Sequence, residues 1–456
     1  MSAPNAHTVN QYYLDKVMDV AERMSFEVIV DILDVRGMKL VAKGARVTRA
    51  LQEKLIVHKL RRPFETSIGT AGAVDGSAVV RMAARIIDTS APVAGIVRAT
   101  STGGPSPLSI LSGLEFGHAM SMMLTISDRA GAQALEHAVL VSLLSICMAK
   151  KLRLGENEQK VAGLAGLLHD IGELYIDPSF LARGKRLLPH EWSHVVVHPR
   201  IGQMLIDELE SYPAAVGRAV AEHHERFDGT GYPRQIAGSQ ISAPGQAVAV
   251  AEMIAGLLLK DHPLERAELA LKIIPGEHAH DLLSAISGAL RLSHADDHEQ
   301  GGRAQAGESV ERLFWRISSI LETGKVLLDG PAAKSHKTRE LLTITMARVK
   351  NIQRAFISTG LDVYLRPQPG FGAGTDGSLL FEKEVASEEI QWRLRDIARD
   401  LALHTTTPDE KVVLAVLVRM LDDDRCGAET RSIEPKQSKL FKPQPASQVS
   451  VRRFGA

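Results

Sequence analysis

Residues 221–233 read AEHHERFDGTGYP. Two adjacent imidazoles, His223 and His224, are followed by acids at Glu225 and Asp228. A turn bracketed by Gly229 and Gly231 then carries Tyr232 into Pro233. The histidine pair closes a helix, and neighbouring side chains on a helix point about 100° apart. Such a pair cannot chelate one ion as an i, i+4 pair does, but it can serve two ions lying close together, as in binuclear sites that activate water and clamp a phosphoryl oxygen. Gly229 and Gly231 permit positive φ and Pro233 fixes the exit, which leaves Tyr232 on a rigid elbow. That elbow can stack on a base, dock a partner, or pack back on its own domain.

Two further clusters lie upstream. In AGLLHDIGE, residues 165–173, an apolar helix ends on His169 and Asp170 before Gly172 breaks it. In VVVHPRIG, residues 195–202, His198 follows three valines. Imidazole nitrogen and carboxylate oxygen together suit iron, manganese or zinc. Any one cluster alone reads equally well as a helix terminus with hydrogen-bonded imidazoles.

The text around these clusters is persistently helical from about 115 to 290, an all-α stretch. Ahead of it, residues 1–70 read as a small α+β module: FEVIVDIL and MKLVAK alternate around a turn at Asp34–Gly37, and Thr48 is the expected N-cap of a short helix reaching His58. Residues 293–309 read as a polar linker. Helical segments are expected near 310–323, 335–359, 383–403 and 409–421, within a C-terminal helical region at 310–430 of unassigned role. A glycine-rich segment at 366–378 interrupts them, and the basic text of 431–456 reads as a disordered tail. The fold class expected is mainly α.

The 456 residues carry 54 Lys plus Arg against 54 Asp plus Glu. That balance provides no bulk field for polymeric nucleic acid or an anionic membrane. Only Cys147 and Cys426 are present, so neither a disulfide framework nor a cysteine zinc site is available, and a reducing cytoplasm is the expected compartment. The longest apolar run, Ala138–Ala149, is too short to span a bilayer.

LAGLLHDIGE, EWSHVVVHPRIG and HHERFDGTGYP, with QIAGSQISAPGQAVAVAE after them, resemble in order and spacing the HD-GYP family of bacterial cyclic di-GMP phosphodiesterases, over residues 125–290. The resemblance implies an HD-type helical domain with metal ligands at His137, His169, Asp170, His198, His223 and His224. Asp170 is the implied bridge between two divalent ions, iron or manganese, and with His169 forms the implied catalytic pair. A seventh ligand, an aspartate in the family, falls at Glu252, which keeps the oxygen donors on a longer arm.

Several departures concern the phosphate. The family's lysine after the HD pair is Glu173 and its later arginine is Gln246. An acid three residues beyond the last ligand is Ala255, and only Lys260 remains of a basic segment. Gln133 replaces a glutamate associated with a third metal, so two ions are expected. A lysine-to-glutamate change facing a dianionic nucleotide costs roughly 4 kcal/mol at an effective dielectric near 20. Arg183, Lys185 and Arg226 are candidate replacements or else solvated surface charges, and Glu173 can instead lean toward the metals. The expected partners are cyclic di-GMP, a signalling protein at the Gly231-Tyr232-Pro233 loop, and a second copy in a homodimer. The expected activity is hydrolysis of cyclic di-GMP to pGpG and GMP. The alternatives are a weakened receptor for that nucleotide, or a phosphohydrolase for another one.

Overall fold

The computed structural model describes residues 7–131, 133–182, 185, 187–258, 276–278, 282, 310–330, 335–358 and 377–422. The expected linker at 293–309, the tail at 431–456, most of the glycine-rich segment 366–378, Lys260 and Arg183 lie outside them.

The chain opens with α1 (Gln11–Ala21), capped by the Asn10 side chain, which accepts from the Tyr13 amide. Four short strands follow: β1 (Glu27–Val28), β2 (Ile32–Leu33), β3 (Lys39–Val41) and β4 (Ile68–Gly69). β2 pairs antiparallel with β3 and β1 with β4. The turn between β2 and β3 forms because the Asp34 carboxylate accepts from the amides of Arg36 and Met38 while Gly37 takes φ +87°. The helix α2 (Arg49–Val57) lies where the sequence placed it, but Thr48 makes no side-chain cap bond.

The helical body contains α3 (Gly76–Thr89), α4 (Ala91–Thr100), α5 (Pro107–Ser112), α6 (His118–Ala130), α7 (Ala134–Lys151) and α8 (Glu156–Leu168). After it come α9 (Pro178–Leu181), α10 (Pro189–Val195), α11 (His198–Leu209), α12 (Ala214–Glu222) and α13 (Ala243–Leu258). Every residue of α7 from Ala138 to Ala149 is buried, because α8, α13 and α3 to α6 surround it. It is therefore apolar all round rather than amphipathic. α8 approaches α7 closely: a Cβ at Gly163 would meet Ile146 at 2.8 Å, and Ser142 Oγ donates to the Gly163 carbonyl at 2.6 Å. The two helices are antiparallel, so the start of α7, with His137, returns beside the end of α8, with His169.

One core cluster runs from Val9 to Leu282, so the N-terminal strands and helices pack continuously with the helical body. A second core, from Leu313 to Leu421, is formed by α14 (Val310–Asp329), α15 (His336–Ser358), α16 (Gly377–His404) and α17 (Pro408–Asp422). α16 packs on α10. Arg226, in the loop after α12, also ties the two cores by donating to Asp396 at 2.8 Å, while within the second core Arg348 of α15 reaches Asp396 at 3.0 Å and Asp400 at 2.8 Å. Arg393 bonds Glu277.

Candidate metal centre

Five segments converge on one point. His137 lies one turn into α7, and His169 caps the end of α8 with Asp170 immediately beyond it. His198 opens α11, His223 and His224 follow the end of α12, and Glu252 projects from α13. Their ligating atoms form two groups, Asp170 with His198, His223 and His224, and His137 with His169 and Glu252, each with its atoms within 4.8 Å of one another. All seven residues expected from the sequence are brought together.

Asp170 stands between the groups. Its Oδ2 is 2.9 Å from His169 Nε2 and 4.0 Å from His137 Nε2, while its Oδ1 is 3.3 Å from His198 Nε2 and 3.6 Å from His223 Nε2. Glu252 Oε2 lies 3.0 Å from His137 Nε2 and 3.2 Å from His169 Nε2, so the glutamate's extra methylene is accommodated.

Adjacent histidines were expected to serve different ions; instead His223 and His224 fall in the same group, with ring centroids 4.1 Å apart. α12 ends at Glu222, so the pair lies in a turn and the 100° helical splay no longer applies. The glycine reading also changes. Gly229 takes φ +80°, but Gly231 does not have positive φ; a Cβ there would sit 2.3 Å from the Arg226 amide nitrogen and 2.4 Å from the His224 carbonyl. Gly172 likewise serves close approach, its Cβ position lying 2.1 Å from the His198 carbonyl oxygen. Glu225 and Asp228 are braces: Glu225 accepts from the amides of Arg234 and Ile236, and Asp228 from Thr230.

The backbone fixes the tautomers. Nδ1 of His169, His198 and His223 each meets the carbonyl three residues earlier, at 2.8, 2.8 and 2.6 Å. A carbonyl only accepts, so each Nδ1 holds the proton and each Nε2 presents a lone pair. His198 Nε2 and His223 Nε2 then face each other at 3.1 Å. His169 Nε2 and Glu252 Oε2 are buried without a hydrogen-bond partner among the described residues. Lone pairs converging in a buried space call for a cation between them. Nitrogen and carboxylate donors fit a divalent metal, and the set is a divalent-metal-binding one.

Electrostatics divide the set: against burial, Asp170 and Glu252 raise His169 well above the usual imidazole range, Glu252 raises His137 and Asp170 raises His198, and a bound cation would return these three to the lone-pair form. Burial opposes ionisation of Asp170, yet His169, His198 and His223 outweigh it and hold the carboxyl well below its usual range. Burial pushes His223 down, and burial with neighbouring His223 and His198 pushes His224 well down, so both stay in the neutral, ligating form. Burial and the nearby Asp170 push Glu173 up to about 7. A carboxyl partly protonated near neutrality repels phosphate less than the fixed charge assumed from the sequence.

The expected phosphate contacts fare differently. Arg226 is engaged by Asp396 and Glu277, which takes it out of the candidate set. Lys185 pairs with Glu191 at 3.0 Å and lies over the Phe180 ring. Gln246 donates to the Ile241 carbonyl at 3.0 Å. Tyr232 is half-buried, its ring 4.6 Å from that of His224 and 5.6 Å from that of Trp192. Lys16 had no sequence signal, being far from any motif, yet its Nζ donates to the Glu173 carbonyl at 2.8 Å.

The HD domain family matches residues 120–280. A cyclic di-GMP phosphodiesterase of Pseudomonas aeruginosa is 35% identical over 138 residues, 30% of this chain and 33% of that protein. A cyclic di-GMP phosphodiesterase response regulator of Xanthomonas campestris pv. campestris is 37% identical over 112 residues, 24% of this chain and 30% of its own length. A 3'3'-cGAMP-specific phosphodiesterase of Vibrio cholerae is 29% identical over 136 residues, covering 30% of this chain and 31% of that protein. The chain thus spans about a third of the length of these relatives.

Proposed function

We propose that residues 120–280, which match the HD domain family, form an HD-GYP-type domain and that the chain is a metal-dependent phosphodiesterase acting on cyclic di-GMP, yielding pGpG and then GMP. The carrying observation is the pair of donor groups that share Asp170, with imidazole lone pairs facing each other across them. The set has room for two divalent ions, iron or manganese, which when bound activate water and neutralise charge on the phosphoryl oxygens.

The chain's own residues have definite parts. Asp170 offers one oxygen to each donor group and so fixes the separation between them. The backbone carbonyls of Gly166, Val195 and Val220 hold three imidazoles in the ligating tautomer, so little reorganisation is needed when charge develops. Tyr232 and Trp192 wall the His224 side with aromatic surface suited to a base. The substituted positions Glu173 and Gln246 favour a second reading, a receptor that binds the nucleotide and turns it over slowly or not at all. We place the activity in the cytoplasm; no described helix is long and apolar enough to cross a membrane. One chain supplies both donor groups, so a homodimer is not needed to complete the centre.

The test is anaerobic purification, elemental analysis and a nucleotide assay. About two metals per chain are expected, with turnover abolished in Asp170→Ala while the fold persists. Wild type that binds cyclic di-GMP without forming pGpG would select the receptor. Metal-replete wild type that neither binds nor cleaves it would eliminate both readings.

A further inference from the structure

Among the described residues near the centre, the cations that the sequence offered for phosphate are committed elsewhere: Arg226 to Asp396, Lys185 to Glu191. One arginine is not. Arg399 of α16 places its guanidinium carbon 5.2 Å over the Trp192 ring. Trp192 stands edge-on to Tyr232 at 5.6 Å, and Tyr232 lies 4.6 Å from the ring of His224, a member of the metal-ligand set. Two aromatic rings in series, Trp192 and then Tyr232, therefore stand between Arg399 and His224.

The carboxylates beside Arg399 on α16 are bonded to other arginines. Asp396 and Asp400 flank it on α16, but Asp396 accepts from both Arg226 and Arg348, and Asp400 from Arg348. Arg399 Nε is buried with no hydrogen-bond partner among the described residues, while the residue as a whole is only half-buried and so remains reachable. Burial pulls the guanidinium's pKa down, with Asp396 and Asp422 pulling it back, as expected of a cation held partly out of water. A native protein seldom leaves a buried donor unused. Arginine stacked on an indole presents its fork edge-on, the geometry that hydrogen-bonds phosphate oxygens.

Resting on the phosphodiesterase reading above, we propose that Arg399 contacts a phosphate of the cyclic dinucleotide, so that the C-terminal helices add a cation to the substrate site. The Arg226–Asp396 pair ties α16 to the loop after α12, and Arg348 of α15 braces Asp396 and Asp400, which holds Arg399 over Trp192. This gives the region 310–430 a role in the substrate site itself.

The test uses the metal-loaded full chain with cyclic di-GMP, comparing wild type with Arg399→Met, Arg399→Gln and Arg399→Lys. Arg399→Met should raise KM at least tenfold with kcat changed less than threefold and metal content unchanged. It should also flatten the dependence of affinity on salt. Arg399→Gln provides the same reading should the methionine variant fail to fold. Arg399→Lys should keep the salt dependence and recover part of the affinity, since a point charge replaces a fork. Neutral variants with wild-type KM and salt dependence would overturn the proposal. So would equal losses in all three variants with the salt dependence intact, which would mark Arg399 as packing. Wild type that is metal-loaded but neither binds nor turns over cyclic di-GMP would bring down the substrate reading, and this proposal with it. Failure of the variants alone would leave the substrate reading standing.

Discussion

At Gly172 a methyl group would lie 2.1 Å from the His198 carbonyl oxygen and 2.8 Å from the Gly202 amide nitrogen, both backbone atoms that cannot swing aside. Gly172→Ala should cost about 3 kcal/mol and, by displacing His198, lower metal content; thermal denaturation and elemental analysis read both. An unshifted melting temperature would show that the turn can open without cost. Glu173, two bonds along the same turn, is raised from its ordinary range to about 7, so the folded chain favours its protonated form. That contribution is fully present below the unfolded carboxyl's pKa of 4.5 and is lost as pH rises through about 7. In metal-free protein, Glu173→Gln should be neutral at pH 4 and more stable than wild type above pH 7, by at most about 3 kcal/mol. Parallel pH–stability curves would refute it. The ligands themselves were legible in the sequence, because few residue types can hold a metal and their spacing is distinctive. The reason for Gly231 and the fate of Arg226 were not, since a close backbone approach and a partner 170 residues away leave no local trace.

The turn after Asp170, a 3-10 element at Ile171–Tyr175, is held from two sides. α11 packs on it, and α1 grips it through three contacts: Lys16 Nζ to the Glu173 carbonyl at 2.8 Å, Asn10 Nδ2 to the Tyr175 carbonyl at 3.3 Å, and Tyr13 stacked on Tyr175 at 5.1 Å. Burial pulls Lys16 down to about 8, against the pull of Glu173 and Asp177. Lys16→Met keeps the stem and removes the donor; it should cost about 1 kcal/mol and speed amide exchange at residues 171–176. Unchanged exchange there would mean α1 contributes nothing to the turn. Helical periodicity made most of these helices readable. α7 fell within the stretch read as helical although it has no polar stripe, because neighbours cover it on all sides. The docking of α1 was not readable, since nothing in its amphipathic face names a turn some 160 residues on.

Across the whole molecule, the second core is joined to the first by charge. Arg226 and Arg393 hold Glu277 at about 2, and Arg226 and Arg348 hold Asp396 at about 2, in each case against burial. Depressed carboxyls stabilise above their unfolded range near pH 4 and lose that contribution as pH falls through about 2. Asp396→Asn should therefore cost about 3 kcal/mol at neutral pH, because Arg226 and Arg348 each lose one of two carboxylate partners and keep only Glu277 and Asp400. It should also blunt the acid limb between pH 4 and pH 2, followed by the fluorescence of Trp192 and Trp392. An acid limb identical to wild type would place the joint elsewhere. The C-terminal helices were visible in the sequence, whereas their seat on the first core was not, because ion pairs between distant segments carry no periodicity. One end of the chain fastens to the turn that begins at Asp170, and the other to the loop that follows His224. Mechanically the centre is a clasp, each half stitched to a different end of the chain. Tension on either end is borne by the gap between facing imidazoles, so the clasp behaves as a strain gauge. The 3.1 Å between His198 Nε2 and His223 Nε2 is its natural dial.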